Sequence, residues 1–104
     1  MNISEQLTKS QQYGVISILI KIMEADGIID PHEINFINEV LKVFHISEQE
    51  MELIDSFDIP KSVSELKVLG RNTKESIVRL FVGMAECDGY ADPRELDIIY
   101  HLGI

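Results

Sequence analysis

The residues of this chain whose types and spacing are suited to chemistry are the carboxylates Glu24, Asp26, Asp30, Glu33, Glu86, Asp88, Asp92 and Glu95. They fall in two runs, Glu24-Ala25-Asp26-Gly27-Ile28-Ile29-Asp30-Pro31-His32-Glu33 and Glu86-Cys87-Asp88-Gly89-Tyr90-Ala91-Asp92-Pro93-Arg94-Glu95. Oxygen-only donor sets favour hard cations such as Ca²⁺, Mg²⁺ or Mn²⁺, whereas zinc favours Cys and His. Against an EF-hand loop the first run matches the second half, with Asp26, Gly27, Asp30 and Glu33 at the expected spacings. The first half fails, because the first ligand position falls on Ile22, or on Met84 in the other run, so a complete calcium loop is excluded.

Helix punctuation explains much of each run without any ion. Gly27 and Gly89 are suited to the left-handed conformation that follows a helix end. Asp30 and Asp92 read as N-caps, Pro31 and Pro93 as first helical residues, and Glu33 and Glu95 as the back-bonding members of capping boxes. Asp26 and Asp88 are not explained in this way. A carboxylate in the last turn of a helix faces the negative end of the macrodipole, at a cost of about 0.3 to 1 kcal/mol, and Glu24 and Glu86 add to it. Either a bound cation relieves these charges, or the aspartates accept N–H groups from the start of the following helix.

Other candidates are weaker. Cys87 stands where the first run has Ala25 and reads as a small buried residue. His32 belongs to an exposed first turn, and His45 and His101 lie near helix ends, where imidazole is favourable for structural reasons. No Ser, His and Asp arrangement, phosphate-cradling Gly-rich loop or Cys pair is present, and beyond Cys87 beside Asp88 catalysis has no candidate apparatus.

The elements that must position these residues repeat. A shift of 62 aligns residues 10–37 with 72–99 without a gap. It makes identities of Glu24/Glu86, Asp26/Asp88, Gly27/Gly89, Asp30/Asp92, Pro31/Pro93, Glu33/Glu95 and Ile37/Ile99. Apolar pairs such as Val15/Ile77, Leu19/Phe81 and Ile22/Met84 precede the turns, so each copy reads as a buried helix, a short turn and a second helix. The first helix is expected to start near Ser10, or Asn72 in the second copy, and the helix after the first turn runs from Pro31 to about Phe44. Ser47 with Glu50 and Ser62 with Glu65 offer capping boxes for two short helices divided by Pro60, the second ending at Gly70; a short helix is also possible before Thr8. No strand pattern is found. The fold class is therefore all-α: six to seven short helices in one domain, 1–104, of two pseudo-repeated halves.

With 104 residues, 45% of them hydrophobic, the chain has the size and apolar content of one such domain. Eighteen Asp and Glu against nine Lys and Arg give a net charge of −9, and the basic residues are scattered, which argues against nucleic acid as a partner. The stretch from Val15 to Met23 is too short to cross a bilayer, no signal peptide is visible, and a single Cys allows no intrachain disulfide; a cytoplasmic location is expected.

The runs Glu24-Ala25-Asp26-Gly27-x-x-Asp30-x-x-Glu33 and Glu86-Cys87-Asp88-Gly89-x-x-Asp92-x-x-Glu95, each after an apolar helix, resemble those of the TerB-like family of tellurite-resistance-associated domains. The resemblance covers residues 10–104. It implies an all-helical fold of two similar halves, no known enzymatic activity, and metal binding at Asp26, Asp30, Glu33, Asp88, Asp92 and Glu95. It also implies an association with bacterial stress-response systems and protein partners, since related domains occur fused to a DnaJ-type co-chaperone. The expectation is a non-enzymatic module whose acidic turns take a divalent cation; the rival is a metal-free scaffold for protein docking or self-association. The chain ends nine residues after Glu95, and the short last helix is expected to leave an apolar strip at Leu96, Ile99, Tyr100 and Ile104 for a partner or a second copy.

Overall fold

The computed structural model describes residues 3–25, 30–87 and 93–103, and these are helical with no strand among them. In chain order the elements are α1 (Ile3–Gln6), α2 (Lys9–Met23), α3 (Pro31–Phe44), a 3₁₀ turn (Glu48–Glu50), α4 (Met51–Asp55), α5 (Ile59–Lys67), α6 (Arg71–Ala85) and α7 (Pro93–Leu102).

Helix α2 is apolar around most of its circumference and is accordingly the centre of the molecule, touching α3, α4, α5, α6 and α7. Val15, Ile16, Ile18, Leu19 and Ile22 are fully buried along it. In α6 the residues 62 positions on from Val15, Leu19 and Ile22, namely Ile77, Phe81 and Met84, are fully buried as well. The two helices also end alike. Glu24 N–H donates to Ile20 O at 3.0 Å and Ala25 N–H to Ile22 O at 3.1 Å; Glu86 N–H donates to Val82 O at 3.0 Å and Cys87 N–H to Met84 O at 3.2 Å.

Helix starts follow local cap chemistry, though not always at the expected residue. Asp30 caps α3 as expected, with Pro31 in the first turn. At α2 the cap is Thr8 rather than Ser10: the Thr8 hydroxyl accepts from Gln11 N–H, and the Gln11 side chain accepts from Thr8 N–H at 2.9 Å. Gly70, not Asn72, stands before α6 and makes no side-chain cap. Asp58 caps α5, accepting from Lys61 N–H at 3.2 Å, which puts Pro60 inside the first turn and leaves Ser62 buried within the helix instead of capping it. Proline is tolerated there because its missing N–H would lack a helical partner anyway. At the 3₁₀ turn Glu50 does bond back, its Oε1 accepting from Ser47 N–H at 3.3 Å and Ser47 Oγ–H at 3.2 Å.

Helix α3 stops at His45, whose left-handed backbone (φ 56°) lets Ile46 N–H reach Leu41 O at 3.0 Å, while Lys9 Nζ donates to Phe44 O at 3.0 Å. Close approach of α2 to α5 depends on Gly14, since a Cβ there would lie 3.0 Å from Ser62 Cβ. The expected apolar strip on α7 is largely closed: Ile98, Ile99 and Leu102 pack half-buried on the core and Leu96 is half-buried, whereas Tyr100 is 82% exposed. The short helix has the reach to do this because it lies against both α2 and α6. Ile104 lies outside the described residues.

Candidate functional site

Of the expected ligands, Asp26, Asp88 and Asp92 lie outside the described residues, as do Gly27 and Gly89. The others are placed by the ends and starts of the long helices. Glu24 and Glu86 are exposed C-caps of α2 and α6. Asp30 is half-exposed, with Oδ1 accepting from His32 N–H at 2.7 Å and lying 3.0 Å from His32 Nδ1. The backbone N–H of His32 is the main reason its carboxyl is held below the usual 3.8. Asp30 thus does the work of a cap, and its Oδ1 is already engaged.

Glu33 and Glu95 differ from the rest. Both stand at the third position of their helices, α3 and α7, and both are only 2% exposed. Sequence spacing marks them as capping-box members; burial is a property of how α3 and α7 turn toward the core. An ionised carboxylate taken out of water costs several kcal/mol unless hydrogen bonds or opposite charge compensate it. The same burial thus recurs at the same step of both halves. Among the described residues, no group of three His, Cys, Asp or Glu side chains is gathered as a metal site.

A second feature is only faintly signalled in the sequence. Helices α1, α3 and α6 enclose an open groove of about 560 Å³, walled by Ile3, Phe36, Val40, Val43, Phe44 and Leu80, with His32, Asn35, Glu39 and Cys87 also lining it. Cys87 is half-buried here rather than sealed in the core. The available signal lay in α3, where Phe36 and Val43 add a second apolar face to the core-facing Ile37, Val40 and Phe44, a band wider than one stripe requires.

A family model described as tellurite resistance protein TerB matches residues 1–56, a span that includes the first acidic turn and ends just after α4. No curated protein and no solved structure matches the chain.

Proposed function

This chain belongs to the TerB family of tellurite resistance proteins, and from that premise we propose that it is a non-catalytic accessory module of a stress-response system whose two acidic turns each take a hard divalent cation. The observation that carries the reading is the matched burial of Glu33 and Glu95, each the third residue of the helix that follows an acidic turn in the sequence. The donor chemistry fits: carboxylate oxygens alone, in the set Glu24, Asp26, Asp30 and Glu33 and the set Glu86, Asp88, Asp92 and Glu95, are suited to Ca²⁺, Mg²⁺ or Mn²⁺. When bound, the ion supplies positive charge where a helix C-terminus and several carboxylates would otherwise concentrate negative charge. The protein's own part is to hold the turn: Asp30 fixes the start of α3 through His32 N–H, and the ends of α2 and α6 present Glu24 and Glu86 in matching geometry.

Amide NMR titration with Ca²⁺, Mg²⁺, Mn²⁺ and Zn²⁺ tests this. Saturable changes centred on residues 24–33 and 86–95 are expected with one of the hard cations, weakened at least ten-fold at the altered turn by Asp26→Asn or Asp88→Asn. Spectra unchanged at millimolar metal would sink the cation reading. A metal-free docking role is favoured by a separate observation, the apolar groove between α1, α3 and α6.

A further inference from the structure

We propose that the groove between α1, α3 and α6 receives a cationic amphipathic helix from a partner protein. The groove is lined by the core residues Val40 and Phe44 and by the half-buried Ile3, Phe36 and Leu80 that pack on them. Its wall on α3 runs from His32 to Val43, about 16 Å at 1.5 Å per residue, the length of two to three helical turns. Phe36, Val40 and Val43 stand along it at spacings of four and three, the rhythm with which an amphipathic helix presents its own apolar anchors. Val43 is 41% exposed, so apolar surface is left in water. No strand edge exists among the described residues for an extended peptide to join.

Charge selects among occupants. Glu39 is the one Asp, Glu, Lys or Arg side chain among the described residues lining the groove. Its ion pair with Lys42, 3.3 Å long, joins two exposed side chains, and such pairs hold their partners weakly, so Glu39 can exchange Lys42 for a cation on an incoming helix. The neighbouring basic residues Lys42 and Arg79 do not line the groove, although Glu39 also borders the cleft that holds Lys42, and the exposed Glu86 adjoins Cys87 at the groove wall. A second copy of the chain is a poor occupant, because each copy brings a net charge of −9. A helix with leucine-like anchors on one face and lysine or arginine beside them meets both the apolar wall and Glu39. This inference does not rest on cation binding at the turns.

The test uses the full chain and two synthetic 14-residue helical peptides, one of Leu and Lys with Leu at the i, i+3, i+4, i+7 spacing, the other with Glu in place of Lys. The Leu/Lys peptide is expected to give saturable amide shifts confined to α1, α3 and α6, and the Leu/Glu peptide none. Val43→Glu is expected to weaken binding ten-fold or more with the circular dichroism spectrum unchanged. Because that substitution adds negative charge, attraction by charge alone would tighten binding instead. Leu53→Glu, on an exposed apolar residue of α4 away from the groove, should leave binding intact, and Glu39→Lys should weaken it. The proposal is overturned by any of four results: no saturable shift, shifts spread over the whole acidic surface, undiminished binding to Val43→Glu, or sedimentation showing a dimer whose contact covers the groove. Should Val43→Glu not fold, Glu39→Lys and the localisation of shifts decide the matter.

Discussion

At the scale of single residues, Glu50 is a carboxylate with several bonds, and it belongs to neither acidic turn. It accepts the Tyr13 hydroxyl as well as the Ser47 N–H and hydroxyl, and Lys9 Nζ lies 3.5 Å away. The Tyr13 bond is the largest cause that holds Glu50 below its usual 4.5, and in return it raises Tyr13 above 10.0. The linkage has opposite signs at the two ends of the pH scale. Glu50, with a folded value below the unfolded one, contributes stability above pH 4.5 that is lost as pH falls through the lower folded value; Asp30 adds to the same acid limb from 3.8 downward. Tyr13, with a raised value, contributes below pH 10.0 and loses its share as pH rises through the higher folded value. Tyr13→Phe removes the principal cause of the Glu50 shift, so its acid-unfolding midpoint, followed by circular dichroism, should move to higher pH. An unchanged midpoint would mean the bond has no energetic weight in the folded state.

At the scale of elements, the helix starts show which part of the fold was legible and why. Asp30-Pro31 marked the beginning of α3 correctly because a cap followed by proline is decided within four residues. At α2 the sequence offers Thr8 and Ser10 as acceptors, and the reciprocal bonds with Gln11 place the cap on Thr8; at α5 it offers Asp58 and Ser62, and there packing decides. Ser62 cannot stand outside α5 as a cap, since it is the residue that meets Gly14 where α5 crosses α2. The groove and the burial of Glu33 and Glu95 were illegible for the same reason: each depends on how helices distant in sequence turn toward one another. The α2/α5 crossing can be tested directly. At Gly14 a Cβ would lie 3.0 Å from Ser62 Cβ and 3.1 Å from its Oγ; rotating the hydroxyl away does not relieve the carbon contact. Gly14→Val adds two methyls beyond that Cβ and should destabilise by about 1 to 3 kcal/mol, the range for overpacking a close-fitted site. Denaturant unfolding measures it, and a stability equal to that of the parent chain would show that the helices can move apart freely.

For the whole molecule, the governing quantity is a net charge of −9 on a body of 30 × 30 × 27 Å. The Debye length is about 30 Å at 0.01 M salt and about 10 Å at 0.1 M, so in dilute buffer every carboxylate repels every other across the full width, and modest salt removes most of that repulsion. The observed ion pairs respond differently. Lys42–Glu39 and Arg71–Glu75, at 3.3 and 3.4 Å, are far shorter than either screening length, and their exposure makes their contribution small to begin with. Repulsion should therefore dominate the salt response, and the melting temperature should rise as NaCl goes from about 0.01 to 0.1 M, the reverse of what a fold resting on surface ion pairs would show. The same experiment separates screening from site binding. At equal ionic strength, Ca²⁺ or Mg²⁺ should raise the melting temperature further than Na⁺, because an ion held by the native turns stabilises in proportion to its occupancy. Asp26→Asn and Asp88→Asn also each remove one negative charge from the total of −9, so each should melt higher than the parent in dilute NaCl and yet gain less from the divalent ion. A divalent increment that stays the same in both variants would assign the whole effect to general screening and remove the acidic turns from the account.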